Sequence, residues 1–355
     1  MISLVIVSYR SAALAREAIA GFRSDAEAAR EPAEVVVVEN SGEAEAFRGV
    51  ADLTLDPGRN LGFAGGLNAG IAAARGDLLF LANPDLVFRP GSVAALAAAM
   101  HANREPLAAG PAFFLDDAMT IHAPPAEEPH PFDLARRRLS MNPATAERPF
   151  RRRLRRALAA ADATARGGEV RRASALSGAL VATTRGTLER VGPFDDGYPL
   201  YYEENDWQRR LRAAGGTLLR AGSARVVHRF GRSARQEPRS AAWFAESERR
   251  YFERHFGEVG RLGLDALASV SPWPKPASPP LGAEALEWAA RGAVGVAIST
   301  LPWFSPFAWA PLPEGSVSWR PPAGFVEGLG VPCYARAVDP ATAEVLSEGA
   351  FGRSS

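Results

Sequence analysis

Two short runs near the start of the chain, Ile2-Ser-Leu-Val-Ile-Val-Ser8 and Glu34-Val-Val-Val-Val-Glu39, are apolar, rich in β-branched residues and without polar alternation. Such runs suit strands covered on both faces, as in the middle of a parallel sheet. Between them, residues 12–30 are Ala-rich and helical in character, so the chain opens as a βαβ unit. A helical stretch over 66–75 leads into a third strand, Asp77-Leu-Leu-Phe-Leu-Ala82, and 90–100 reads as a helix starting near Pro90. This alternation predicts a doubly wound α/β layer structure. Ligands of such sheets gather at the carboxyl ends of the strands.

From about 118 to 172 the rhythm is lost. Pro124, Pro125, Pro129 and Pro131 are followed by arginine clusters at 136–138 and 151–156, so 118–172 reads as an insertion or flap. The clusters fit a solvated helix face, or contact with anionic lipid at about 1 kcal/mol per basic residue. Strand-like sequence resumes at Ala175-Leu-Ser-Gly-Ala-Leu-Val-Ala-Thr183, followed by an acidic cluster, a helical stretch over 206–214 and Ala224-Arg-Val-Val-His228. This half of the chain closes near Gly257. A proline-rich run, Ser271-Pro-Trp-Pro-Lys-Pro-Ala-Ser-Pro-Pro280, marks a linker over 266–282 between a domain at 1–265 and a small β-rich domain at 283–355. Short strands are expected near 294–300, 316–320 and 334–338, with a hairpin turn at Asp339-Pro-Ala-Thr342.

Composition narrows the partners. The 355 residues are 47% apolar, enough for a sizeable α/β domain and an appendage. With 41 Lys and Arg against 40 Asp and Glu, no global field draws the chain to nucleic acid. The single cysteine, Cys333, cannot form an internal disulfide, which fits a reducing cytoplasmic setting. The first apolar run lacks a basic leader and is interrupted by Ser8-Tyr9-Arg10, so it reads as a strand rather than a secretory signal. Residues 292–313 carry no charge and approach the roughly 20 residues a membrane span needs, but Pro302, Pro306 and Pro311 argue against a regular helix there.

Four constellations carry candidate chemistry. Polar residues follow three predicted strands: Ser8-Tyr9, Glu39-Asn40-Ser41 and Asn83-Pro84-Asp85. Each also fits an ordinary turn, but in an open sheet all three face one crevice. A glycine-rich stretch, Asn60-Leu-Gly62-Phe63-Ala-Gly-Gly-Leu-Asn68-Ala-Gly70, runs into a helix whose N-terminus suits phosphate. It matches neither the dinucleotide fingerprint nor the Walker loop. Tyr201-Tyr202-Glu203-Glu204-Asn205-Asp206-Trp207 packs three carboxylates into four positions beside aromatic rings. Mutual repulsion and partial desolvation suit a general base or metal anchor, and a helix N-terminus accounts for acids equally well. His228 ends a predicted strand and is a candidate metal ligand.

Taken in order, Val5-Ile-Val-Ser-Tyr9, Val37-Val-Glu-Asn-Ser41, Asn60-Leu-Gly-Phe-Ala64 with Asn68, Leu81-Ala-Asn-Pro-Asp85, Ser177-Gly-Ala179, Gly192-Pro-Phe-Asp195, Tyr202-Glu-Glu-Asn-Asp206 and His228 with Gly231 resemble family-2 glycosyltransferases of the GT-A fold, above all the rhamnosyltransferase-like bacterial members. The resemblance spans about 1–257. It implies a GT-A-type doubly wound mixed sheet with flanking helices, followed by the small β domain. It implies an inverting hexosyl- or rhamnosyltransferase of cell-surface polysaccharide synthesis, working at the cytoplasmic face of the membrane. The donor would be a dTDP- or UDP-linked sugar and the acceptor a hydroxyl of a glycan or polyprenyl-linked molecule.

By the same resemblance, Ser8, Tyr9, Glu39, Asn40, Asn60, Gly62, Phe63, Asn68, Asn83 and Asp85 would bind donor, with Glu39 at the base where relatives carry aspartate. Asp85 and His228 would hold Mg²⁺ or Mn²⁺, Asn83 standing where many relatives have a second acid. Glu204 would be the catalytic base, with Glu203 its rival, and Asp206 and Trp207 would contact acceptor or serve the structure. A catalytically inactive nucleotide-sugar-binding protein is the alternative. A nucleotidyltransferase is disfavoured, because Ser8-Tyr-Arg-Ser-Ala12 is no phosphate-gripping loop.

Overall fold

A computed structural model of the chain describes residues 1–103, 107–132, 146–165, 169–229, 239–269, 281–302, 304 and 306–352. Gly231, the arginines at 136–138, Trp303 and the body of the proline-rich linker lie outside the described residues. The chain divides into two compact units. One holds 1–113, 126–129 and 166–257, the other 114–125, 130–165 and 258–355.

The first unit begins β1 (Ile2–Ser8), α1 (Ala12–Ala28), β2 (Ala33–Glu39), β3 (Leu53–Leu55), α2 (Gly62–Ala73), β4 (Leu78–Ala82), β5 (Leu86–Phe88), α3 (Ser92–His101) and β6 (Leu107–Phe114). After α4 (Glu147–Ala165), which belongs to the second unit, it continues with β7 (Val170–Arg172), β8 (Leu180–Thr184), α5 (Arg185–Val191), α6 (Glu203–Ala213), β9 (Thr217–His228) and the first part of α7 (Ser240–Ser269). Helix α7 is broken at Gly257, where φ is 67°.

The sheet order is β3-β2-β1-β4-β8-β6-β9-β5, with β7 also paired to β9. Strands β3, β2, β1 and β4 run parallel, whereas β8 is antiparallel to β4, and β5 and β7 to β9. The result is a mixed α/β fold with a central mixed sheet between helices. Alternation along β1 explains the two covered faces: Ile2, Leu4 and Ile6 pack with Ala15, Ile19 and Phe22 of α1, while Val5 and Val7 pack with Ala64 and Leu67 of α2. Helix α2 lies close on β1 because Gly66 and Gly70 have no side chain. A Cβ at Gly66 would stand 2.8 Å from Val7, and one at Gly70 would collide with Val5.

The second unit has an antiparallel sheet ordered β12 (Ala308–Pro311), β11 (Gly295–Ser299), β14 (Cys333–Val338) and β15 (Val345–Phe351). Beside it lie a pair, β10 (Leu286–Glu287) with β13 (Ser318–Trp319), and a short helix, α8 (Phe325–Leu329). Within the uncharged stretch, Gly295–Ile298 pairs antiparallel with Ala308–Pro311. No helix among the described residues is long and apolar enough to cross a membrane. The turn expected at Asp339 joins β14 to β15, with the Asp339 carboxylate accepting from the Ala341 amide at 2.8 Å. Trp309 and Trp319 are buried in the core.

The segment read as an insertion contributes α4 to this second unit. Its Phe150, Leu154, Ala157 and Ala161 face Phe304, Phe307, Trp309 and Val338. The apolar face of α4 is thus taken up in the core, and Arg152 and Arg155 are exposed.

Candidate functional site

At the carboxyl ends of β1, β2 and β4 the first unit has a cavity of about 410 Å³, within the usual size range of ligand pockets. Tyr9, Ser11, Asn40 and Asn83 reach it from the strand ends, and Asn60, Gly62 and Phe63 from the start of α2. The loop into α2 is built by asparagines. Asn40 donates to the Gly62 carbonyl at 3.1 Å, and the Asn60 side chain accepts from the Gly62 amide at 2.8 Å. Gly62 has φ 72°, a left-handed conformation that costs glycine little. The N-terminus of α2 lies at the cavity through Gly62 and Phe63, and such helix ends favour anions.

Three residues expected at the donor are placed elsewhere. The Ser8 hydroxyl lies in the core 3.2 Å from that of Ser11. Glu39 is fully buried and accepts from the Ser41 amide at 2.9 Å, the Ser41 hydroxyl and the Glu43 amide at 2.7 Å. Its carboxylate shapes the turn after β2. Asn68 is bound at both ends of its amide to the Phe194 backbone, at 2.8 and 3.0 Å, tying α2 to the loop after α5.

The carboxylate pair enters from the first turn of α6. Glu203 is 4% exposed and Glu204 more open, and both line the cavity. One oxygen of each, Oε2, is buried without a hydrogen bond. Burial, then the charge of Glu204, pushes the Glu203 carboxyl well above the ordinary carboxylate range. Burial also raises Glu204, against the lowering pull of backbone amides and Asn205 at the helix N-terminus. Of the two, the deeper Glu203 is raised further and holds its proton more tightly. The Tyr201 hydroxyl is raised by burial and by the charges of Glu203, Glu204 and Asp85.

Two features fix this turn. Tyr201 and Tyr202 have φ of 68° and 69°, a conformation that costs roughly 1–3 kcal/mol per residue. Such strain is held only where surrounding contacts impose it. The second feature is Gly178, where a Cβ would lie 2.9 Å from Cγ of Glu204. Gln208, one turn along α6, clamps the same loop through both backbone groups of Leu176, at 2.8 and 2.9 Å.

Asp85 and His228 meet because Leu86 pairs with His228 across β5 and β9. His228 Nε2 stands 3.3 Å from Asp85 Oδ1. Both carboxylate oxygens of Asp85 are buried and accept no hydrogen bond, which leaves them fit for a cation. One hard oxygen donor and one imidazole suit a divalent ion that keeps further oxygen ligands from substrate or water. Among the described residues no group of three His, Cys, Asp or Glu is gathered to hold a metal alone.

Asp206 and Trp207 face away from the cavity. Asp206 is fully buried, with His255 Nε2 at 2.8 Å, Arg210 Nε at 2.8 Å and Arg254 Nε at 3.3 Å. Trp207 stacks on Phe194 and donates to the Gly192 carbonyl at 3.1 Å. Both are engaged by partners within the protein. Tyr201, Trp243 and Phe244 line the cavity instead. Sequence reasoning passed over the last two because only the fold brings the start of α7 to this cavity.

Residues 3–159 match the family model of Glycosyl transferase family 2. The matched span includes the strand ends and Asp85, while the carboxylate pair and His228 lie beyond it. The fold is accordingly GT-A-like, with a small β-rich unit toward the C-terminus. No curated protein matches the chain. Among solved structures it is similar to a mannosyltransferase from Pyrobaculum calidifontis in complex with GDP-Man and Mn²⁺, at 16% identity and TM-score 0.43, covering 77% of this chain and 76% of that one. It is similar to GalNAc-T7 with UDP, GalNAc and Mn²⁺, at 15% and 0.43, covering 76% of this chain and 55% of that one. A third likeness is to S. aureus TarS, at 12% and 0.41, covering 76% and 75%.

Proposed function

We propose that this chain is an inverting glycosyltransferase that moves a sugar, rhamnose foremost, from a dTDP- or UDP-linked donor to a hydroxyl of a glycan or lipid-linked acceptor. The reading extends to cell-surface polysaccharide synthesis at the cytoplasmic face of the membrane. The observation that carries it is the Glu203–Glu204 pair, which has unpaired buried oxygens and lines the same cavity as the strand ends and His228.

In this reading Asn40, Asn60 and Asn83 orient the donor, and the amides at the start of α2 receive part of its negative charge. Asp85 and His228 would hold Mg²⁺ or Mn²⁺, which supplies neutralising charge to the departing diphosphate. Glu204 is the base. Being raised in pKa and still partly open, it is a stronger proton acceptor than a solvated carboxylate. Glu203, raised further by burial and by the charge of Glu204, holds its proton more tightly, which lessens repulsion of the base. Attack from the face opposite the leaving group inverts the anomeric centre.

A thermal-shift series with dTDP- and UDP-sugars, with and without Mn²⁺, tests donor binding. A donor at a hundred times its dissociation constant stabilises by about 2.7 kcal/mol, and the shift is expected only with the metal. If no nucleotide sugar moves the melting temperature, the reading is wrong.

A further inference from the structure

With Asp206 and Trp207 assigned to the interior, the acceptor needs another surface. Tyr201, Trp243 and Phe244 are half-buried rings that line the cavity, and Tyr201 precedes the carboxylate pair by two residues. The wall is firmly built. Phe244 meets Tyr201 and Tyr202 edge-on, at centroid distances of 5.7 and 5.4 Å. The first part of α7 is fastened to the segment before α6: the Ser247 hydroxyl donates to the Leu200 carbonyl at 2.8 Å, and the Tyr202 hydroxyl donates to Glu248 at 2.8 Å. Farther along, Arg250 pairs with Asp195 at 2.9 Å and His255 with Asp206 at 2.8 Å.

Resting on the glycosyl-transfer reading, we propose that Tyr201, Trp243 and Phe244 form the acceptor subsite, a platform on which a pyranose ring lies with its hydroxyl edge toward Glu204. A pyranose has an apolar C–H face and a polar rim. The first matches aromatic faces, which bury large area at fixed geometry. The second matches the carboxylate oxygens that have no partner in the protein. An unbranched alkyl chain would satisfy the rings and leave those oxygens unpaired, which is unfavourable. In the transfer step the acceptor O–H gives its proton to Glu204, and its oxygen bonds to the anomeric carbon. The carbon–oxygen bond to the diphosphate breaks, and its electron pair leaves with the diphosphate.

Binding of methyl glucoside, galactoside, mannoside and rhamnoside to the full chain, read by calorimetry, tests this apart from turnover. At least one is expected to bind, with its dissociation constant raised tenfold or more in Trp243→Ala and largely restored in Trp243→Phe. Donor affinity should change less than threefold. Melting curves of both variants should match wild type, since Trp243 is half-exposed. Failure of every pyranoside to bind, an unchanged constant in Trp243→Ala, or tighter binding of octanol than of any pyranoside would overturn the assignment while leaving donor binding intact. If pyranosides bind as expected and nucleotide sugars do not, the subsite stands as a sugar site and the proposed transferase activity falls.

Discussion

Five buried or partly buried acids in the first unit divide into two kinds. Glu39 and Asp206 are fully buried and saturated: the first holds three donors of its own turn, the second an imidazole and two guanidinium groups. Asp85 and the Glu203–Glu204 pair each have buried oxygens with no hydrogen bond. Glu203 and Asp206 occupy the same first turn of α6, so helix position does not separate them. What differs is the face. A buried carboxylate oxygen without a hydrogen bond is costly, and a ligand in the adjoining cavity would supply the missing partner.

The largest effect should come from removing the proposed base. Glu204→Gln keeps shape and removes proton acceptance, so transfer should fall about 10²–10⁴-fold with donor affinity nearly unchanged, measured by nucleoside diphosphate release and calorimetry. Wild-type kcat/KM should fall as pH drops through a value above 4.5, because burial raises Glu204. Asp206→Asn should do the reverse. It should lower stability by about 3 kcal/mol, at the lower end for a broken buried pair because Arg210 and Arg254 retain some water, while donor affinity in the folded fraction persists. Denaturant unfolding reads that loss.

Gly178→Ala places a methyl group against Glu204. A displacement of the base near 1 Å costs about 10²-fold in rate, so transfer should drop with little change in melting temperature. A large stability loss would make Gly178 a packing residue only. The smallest effect belongs to Glu203→Gln. Glu203 has a raised folded pKa, so its protonated form contributes stability below the unfolded value of 4.5, and that contribution is lost as pH rises toward the folded value. The variant should therefore gain on wild type as pH rises above 4.5 toward the raised folded value, by roughly 2–4 °C if the difference is about 1 kcal/mol.

Much of this was legible in the chain. β1, β2 and β4 could be read because strands covered on both faces demand uninterrupted Val, Leu and Ile. The strand-end cavity followed from their parallel order. β3, β5 and β7 have three residues each, too few for a periodic signal. The roles of Glu39 and Asn68 were not legible, since the partners that remove them from the cavity are a tight turn and the backbone of Phe194, 126 residues away. Asp206 carried the same local signal as Glu203, and only His255 and Arg254 on α7 decide between them. The insertion looked irregular, yet the spacing of Phe150, Leu154, Ala157 and Ala161 already held the apolar stripe of α4.

The central claim is that the orphaned carboxylates mark an inverting transfer site. Proton NMR of the product formed from an anomerically pure nucleotide sugar tests it most directly, since the anomeric coupling reports configuration. The account predicts a product opposite in configuration to the donor, formed by wild type and lost in Glu204→Gln. A product of retained configuration, or equal yield from the variant, would contradict it.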